Sequence, residues 1–256
     1  MALSLLSLAV ALAGSQALGA DTGGASPEFD ALVRQAEAAE ARLDPESALQ
    51  LYLRALGERP NDTQVLLKVA KQYSDSTLGI SDPQENRRRM EKALMYSQRA
   101  AAIDPRNDVA LLSEAICYGK LGLYSDIREK IEYSKLVKRY AEEALSANPN
   151  CAYAHHVLGQ WEYEVASLGR TKRFLIALIY GAMPPASTEE AVRQLETAVS
   201  LEPNVASHHL ALGFAYRANG EEAKAREQFR QVMDMPVREL YDEDCHRQAT
   251  RAIASL

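Results

Sequence analysis

Four prolines in similar phrases constrain this chain more than any other feature of its sequence. In each phrase an alanine lies five residues before the proline, and the four prolines are Pro60, Pro105, Pro149 and Pro203. Because proline cannot continue a helix and restricts the residue before it, a helix is expected to end at each of them. Successive prolines lie 45, 44 and 54 residues apart, which indicates one structural unit repeated along the chain.

The unit matches the tetratricopeptide repeat, a pair of helices of about 34 residues that ends on a proline. This repeat has small residues at positions 8, 20 and 27 and large ones at 7, 11 and 24. When Pro203 takes position 32, the next copy has Gly213 at 8, Tyr216 at 11 and Phe229 at 24. Gly159 takes position 8 in the copy before it. We predict that Gly159 and Gly213 lie where the two helices of their repeats touch.

Five copies can be aligned, and the proline spacing leaves insertions of 11, 10 and 20 residues in the second, third and fourth. All three insertions are expected between the two helices of a repeat. Residues 242–256 have apolar positions at helical spacing and are expected to form a cap. The predicted fold is therefore all-α: a tetratricopeptide-type helical solenoid of about five helix pairs with inserted helices and a C-terminal capping helix.

The composition argues against several functional classes. A formal net charge of −6 disfavours nucleic-acid binding, which needs a basic face. Three cysteines without a CxxC motif fit neither a disulfide scaffold nor the usual zinc spacings. The sequence contains no phosphate-binding loop, dinucleotide fingerprint or hydrolase motif. We therefore predict no enzyme activity, no catalytic or metal-ligating residue, no cofactor and no nucleic-acid partner.

Two histidine pairs, His155-His156 and His208-His209, could suggest metal chemistry. His155 and His209 both fall at position 4 of a repeat, which indicates packing rather than metal binding. Cys151 precedes His155 by four residues, as in a nucleophile dyad, but no oxyanion motif accompanies this pair. The histidines are therefore expected to be structural.

The N-terminus differs from the rest of the chain, because residues 1–20 contain no charge and include an apolar stretch. This pattern predicts a signal peptide, or an N-terminal anchor if the segment is not cleaved. Residues 21–28 are expected to be a linker and residues 29–256 the solenoid. The predicted location is exported, either periplasmic or secreted. The alternatives are a membrane-anchored protein and a cytoplasmic, microtubule-associated one.

The fourth repeat carries residues that are not generic to such repeats. Residues 154–165 read Ala-His-His-Val-Leu-Gly-Gln-Trp-Glu-Tyr-Glu-Val, and a Pro-Pro pair follows at 184–185. Upstream, residues 127–131 read Ile-Arg-Glu-Lys-Ile, in a position expected between the third repeat's helices. With this combination the chain resembles the regulator of microtubule dynamics family. The resemblance implies a non-enzymatic helical repeat protein that associates with microtubules or with organelle membranes.

In solenoids of this type the first helix of each pair lines a concave groove, with positions 2, 5, 9, 12 and 13 facing it. In the fourth and fifth repeats we predict a partner-binding groove that consists of Tyr153, His156, Gln160, Tyr163, Glu164, Leu210, Phe214 and Arg217. This mixture of polar and aromatic residues suits a protein segment or a peptide. Aromatic residues exposed there are expected to dominate the binding energy.

The insertion at residues 166–186 is basic at its start and apolar from Phe174 to Ala182. One interpretation is an extra helix packed over the repeat, which could fold back onto the groove aromatics. The other is an element that binds a partner or touches a membrane.

These features predict a non-catalytic scaffold whose concave face binds a protein or peptide partner, with microtubules as the partner if the chain is eukaryotic and cytosolic. The alternative is a structural, self-assembling protein of the cell envelope with no cytoskeletal role. A membrane is expected as a partner only through an uncleaved N-terminal segment.

The N-terminal prediction can be tested on the chain isolated from its native host. If the segment is cleaved, mass spectrometry should find a mature N-terminus at Ala20 or Asp21. If it is retained, the chain should fractionate with membranes. A freely soluble cytoplasmic product that starts at Met1 would contradict both versions.

Overall fold

The structure is a computed structural model that describes residues 26–256, and these residues form twelve α-helices and no strand. The helices are α1 (Pro27–Glu40), α2 (Pro45–Glu58), α3 (Thr63–Asp75), α4 (Pro83–Ile103), α5 (Asp108–Gly122), α6 (Ile127–Ala147), α7 (Ala152–Ser167), α8 (Gly169–Tyr180), α9 (Thr188–Leu201), α10 (Ala206–Ala218), α11 (Glu222–Asp234) and α12 (Asp242–Ala254). The all-α prediction is confirmed. The predicted signal or anchor segment, residues 1–20, lies outside the described residues.

The helices pack as five pairs, which are α1/α2, α3/α4, α5/α6, α7/α9 and α10/α11. The inserted helix α8 interrupts the fourth pair, and α12 packs against α10 and α11 as a cap. The first helices of successive pairs also touch one another, from α3 through α5 and α7 to α10. These helices form an inner row, and the predicted groove residues lie on it.

The helix boundaries follow from polar caps and from the prolines. Four helices, α2, α4, α6 and α9, end two residues before the four prolines of the repeated phrase. Most helices begin after a side chain that accepts a hydrogen bond from a free backbone N–H of the first turn. These capping residues are Ser26, Asp44, Asp62, Asp82, Asn107, Asp126 and Ser187.

Gly159 and Gly213 lie at the closest contacts within their helix pairs, as the repeat register predicts. A Cβ atom at Gly159 would lie 2.7 Å from Cγ of Leu195 on α9. A Cβ atom at Gly213 would lie 2.5 Å from the ring of Phe229 on α11. Both facing side chains are fully buried, so neither has space to move away.

Two of the three insertions are part of the second helix of their repeat, whereas the repeat pattern predicts all of them between the two helices. In the second and third repeats the extra residues largely lengthen the second helix, so α4 and α6 have 21 residues each, whereas α2 and α9 have 14. Residues 127–131 form the first turns of α6 rather than a connection. Arg87 of α4 and Glu129 of α6 join the two extensions through paired hydrogen bonds of 2.9 Å. Only the insertion of the fourth repeat forms a separate helix in the described part of the chain.

Replacing Gly213 or Gly159 with alanine should destabilise the protein, although alanine favours a helix over glycine by about 1 kcal/mol. The added methyl group overpacks a contact that has no room, and we expect a loss on the order of 1–3 kcal/mol in urea unfolding. Gly57→Ala is the control, because a Cβ atom there would meet nothing within 4 Å. Equal stability of the Gly213→Ala and Gly57→Ala variants would show that the contact is not tight.

Candidate partner-binding groove

The eight residues predicted for the groove lie on α7 and α10, which pack side by side in the inner row. Their exposure to solvent differs. Three of them, Tyr153, His156 and Leu210, are buried. The other five are partly exposed, and these are Gln160, Tyr163, Glu164, Phe214 and Arg217. The structure therefore brings the predicted residues together, but leaves only some of them within reach of a partner.

Tyr153, His156 and His208 form a buried cluster near the start of α7 and α10. The rings of Tyr153 and His208 meet edge to face at 4.7 Å, and the Nδ1 atoms of His156 and His208 lie 3.2 Å apart. One Nδ1 must donate and the other accept, which two neutral rings can do and two protonated rings cannot. Tyr153, 4% exposed, is a core residue, and the expectation that it is an exposed groove aromatic is wrong.

Burial sets the charge state of this histidine pair. It lowers the pKa of His156 from its usual 6.5 to about 4, and it lowers the pKa of His208 well below the same value, with His156 as a further cause. The Glu202 carboxylate lies 3.9 Å from Nε2 of His208. This ring nitrogen has no hydrogen-bond partner. The cluster is therefore built for two neutral imidazoles.

The remaining members of the two histidine pairs, His155 and His209, hold helix starts in place. His155 and His209, both at position 4, each lie 2.9 Å from the carbonyl oxygen of the preceding repeat's proline through Nε2. Through Nδ1, His155 contacts Gln194 at 2.6 Å and His209 contacts Gln228 at 2.7 Å. The prediction of a packing role for this repeated position is confirmed, and both ring nitrogens of His155 are engaged away from any thiol.

The partly exposed groove residues are held by their neighbours. The Phe214 ring packs edge to face on Phe229 at 5.1 Å, and the Arg217 guanidinium lies 5.0 Å from the Phe214 ring. Arg217 also donates to the Ser255 hydroxyl at 3.3 Å. Burial raises the pKa of Tyr163, which packs against the same core. This end of the groove is therefore ordered without a partner.

The chain's own C-terminal segment, residues 235–256, lies against the groove. Its Tyr241 hydroxyl donates to Oδ1 of Asp75 at 3.2 Å and accepts from Nζ of Lys120 at 2.9 Å. Asp75 and Lys120 occupy position 13 in the second and third repeats, so both are groove positions by the repeat pattern. The cap α12, in the same segment, packs on α10 of the fifth repeat. The segment therefore connects the two ends of the groove.

A polar cluster fixes Tyr241 in this place. Lys120 Nζ donates to Oγ of Ser74 at 2.6 Å, and Lys71 Nζ donates to Oδ2 of Asp75 at 2.6 Å. Burial lowers the pKa of Lys120 against the opposing effect of Asp75, and burial raises the pKa of Tyr241. Because buried charges are costly without partners, loss of the Tyr241 hydroxyl would leave Lys120 and Asp75 less well compensated.

The C-terminal segment does not fill the groove completely. A cavity of about 240 Å³ remains between its first residues and the start of α10, and Tyr153 and Ser207 line its groove side. Asp242 shapes the opposite wall, because its carboxylate accepts from the backbone N–H groups of Arg238 and Glu239 at 2.8 Å. The connection between α11 and α12 is therefore an ordered turn placed over the groove.

Sequence reasoning missed Tyr241 and Lys120 as groove residues. A signal was present in the sequence of α5, whose apolar residues lie on every side of the helix, and in the fold even its polar Ser113, Glu114 and Lys120 are buried. A helix that is mostly apolar around its whole circumference is enclosed on more than one side. The sequence of α5 could therefore have indicated that something covers its groove face.

The inserted helix α8 leaves its largest apolar side chains exposed instead of packing them over the groove aromatics. Phe174, Leu178 and Ile179 are 67%, 72% and 66% exposed. Within residues 26–256, no helix is both long enough and apolar enough to cross a membrane.

Five helix pairs with a shared groove define a helical repeat protein of the tetratricopeptide class, and comparison with solved structures supports this class. The crystal structure of TTC0263, a thermophilic TPR protein of Thermus thermophilus, is similar with a TM-score of 0.64 and 20% identity, covering 88% of this chain and 99% of that one. MamA of Desulfovibrio magneticus is similar with a TM-score of 0.50 and 18% identity, over 82% of this chain and 96% of that one. At these identities the likeness concerns the fold alone.

Within that class, the family described as regulator of microtubule dynamics protein 1-3 matches residues 28–256. The chain belongs to this family, and the resemblance drawn from the sequence is confirmed. Regulator of microtubule dynamics protein 1 of Bos taurus is 27% identical over 72% of this chain and 58% of its own length. The Mus musculus protein 1 is 28% identical over 73% of this chain and 61% of its own length. The matched region thus spans less than two thirds of these relatives.

The histidine pair makes stability depend on pH. Both rings are neutral in the fold and take up protons on unfolding below pH 6.5, so the stability they contribute is complete above that value and is lost as pH falls toward 4. His156 alone should account for a loss on the order of 3 kcal/mol at pH 4.

We expect His208→Asn to reduce this pH dependence, because its amide can still hydrogen-bond to His156 but does not titrate. Urea unfolding between pH 7 and pH 4 measures it, with His246→Asn as a control outside the pair. An unchanged slope for His208→Asn would show that the pair does not control acid stability.

Proposed function

We propose that this chain is a non-catalytic protein-binding scaffold whose partner lies along the concave groove of the inner helix row. The observation that carries the proposal is the C-terminal segment, which already lies against this groove. A surface that holds a segment of polypeptide through Asp75, Lys120 and the α10 face has the shape and polarity to hold another. Membership in the family adds the expectation of a protein partner.

Two kinds of contact support recognition of a protein segment. At one end, Asp75 and Lys120 offer an acceptor and a donor at a fixed separation, both bonded by Tyr241. At the other end, Gln160, Tyr163 and Phe214 are partly exposed and held by packing. Groups that are ordered before binding lose little entropy on association. With a polar end and an apolar end, the groove suits a peptide or helix whose own ends differ in the same way.

The family name points to microtubules as the partner, and we propose that the groove contributes to that association. The C-terminal segment competes with the partner for the same positions, so the groove binds only when the segment moves. The affinity observed is then the intrinsic affinity reduced by the fraction of chains with an open groove. This chain is thereby a scaffold whose binding is restrained by its own terminus.

Microtubule co-sedimentation with purified tubulin tests this proposal. Tyr241→Phe removes two hydrogen bonds that hold the segment, and we expect tighter binding by about 2–10-fold. Arg217→Glu and Gln160→Lys change partly exposed groove residues and should weaken binding at least as much. Arg230→Glu, an exposed change on α11 away from the inner row, is the matched control for charge reversal.

The outcomes separate the proposal from its alternatives. Equal binding by the groove variants and the control would place the contact outside the groove. An absence of microtubule binding together with concentration-dependent assembly in light scattering would favour the structural, self-assembling protein of the cell envelope. All variants should keep the helical circular dichroism of the wild type, because only correctly folded chains report on the groove.

A further inference from the structure

The inserted helix α8 has apolar side chains on two opposite faces. Its inner face is half-buried, with residues at helical spacing, namely Arg173, Ile176, Ala177 and Tyr180. Arg173 donates to the carbonyl of Ala186 at 3.3 Å, and the carbonyl of Tyr180 accepts from Lys135 of α6 at 3.5 Å. The first contact joins α8 to the segment before α9, and the second joins its C-terminal end to α6.

The outer face of α8 is an apolar strip in contact with solvent, made of four large side chains, Phe174, Leu175, Leu178 and Ile179. Three of these have the highest exposures of any large hydrophobic residue in the described part of the chain, where the others do not exceed 50%. A contiguous exposed strip of this kind, in contrast to scattered single residues, marks an interaction site.

The basic residue beside this apolar strip indicates which kind of surface binds it. Lys172 is exposed and lies three and seven residues before Leu175 and Ile179, so it continues the same face at the start of the helix. Between Glu164 and Glu189 the sequence has three basic residues and no acidic one, in a chain with a net charge of −6. Of these, Lys172 lies on the outer face and Arg173 on the inner one, so the described outer surface of α8 carries one basic side chain beside its apolar strip and no acidic one.

We propose that α8 is an interfacial membrane-binding helix that lies in the plane of an anionic bilayer. Phe174, Leu178 and Ile179 enter the boundary between head groups and acyl chains, and Lys172 pairs with lipid phosphate. The helix has 12 residues, whereas about 20 are needed to span a bilayer, so it lies on the membrane rather than across it.

A bilayer fits this surface better than a protein partner does. Protein interfaces carry a polar rim with about one hydrogen bond per 100–200 Å². The outer face of α8 offers apolar side chains and one basic end, with no carboxylate or amide to fix a partner's register. Burial in lipid and attraction to anionic head groups need no such directional contacts.

Vesicle co-sedimentation tests the proposal. The full chain should bind vesicles of phosphatidylcholine and phosphatidylserine at about 2:1 and should bind at least about tenfold less to phosphatidylcholine alone. The doubly substituted Leu178→Ser, Ile179→Ser variant should lose at least about tenfold in binding to the anionic vesicles. Lys172→Glu should weaken binding in low salt and have a smaller effect in high salt.

The matched control for the double variant of α8 is Leu78→Ser, Ile103→Ser, which removes two exposed apolar residues outside α8.

A Phe174→Trp variant reports insertion directly. Trp161 is the single native tryptophan and is fully buried, so quenching by brominated acyl chains reports on the new indole. We expect quenching in anionic vesicles and none without lipid. The proposal is overturned if the wild type does not bind anionic vesicles, if the α8 double variant binds as well as the control, or if α8 instead mediates dimerisation in solution.

Discussion

The close approach of the two helices within each repeat is the constraint on which this structure depends. Neither helix of a pair can bury its apolar face alone, and a small residue at position 8, glycine in the fourth and fifth repeats and alanine in the others, lets the two helices approach. Gly213 against Phe229 and Gly159 against Leu195 are two instances of this contact. Because each pair has a defined thickness, the next pair stacks at a fixed distance, and the first helices line up as one inner row.

The inner row of helices carries polar side chains that water would solvate if the groove were open. In this chain the C-terminal segment covers them. Lys120 is buried and is hydrogen-bonded to both Ser74 and Tyr241, so the cover and the groove satisfy each other's polar groups. An external partner must replace these bonds as well as make its own contacts. The arrangement favours specificity, because a segment without matching polar groups would leave Lys120 unsatisfied.

Local signals in the sequence predicted most of the fold. The prolines set four helix ends, and the glycines at position 8 set the contacts between paired helices, because both act through residues near in sequence. Contacts between residues far apart in the sequence could not be predicted from such local signals. Tyr241 meets Asp75 across 166 positions, and nothing near either residue indicates the other. The burial of Tyr153 was likewise hidden, since it depends on His208 from the next repeat.

The insertions show a second limit, since proline spacing gives the number of extra residues but not their conformation. In α4 and α6 they extend an existing helix, where Arg87 and Glu129 stabilise each other. In the fourth repeat they form α8, which follows directly on α7, the helix that carries five of the predicted groove residues. Hydrogen bonds join α8 to Lys135 of α6 and to Ala186 in the segment before α9. The proposed lipid-facing strip and the groove thus lie on consecutive helices, so a surface that binds α8 would also bear on the direction of the groove.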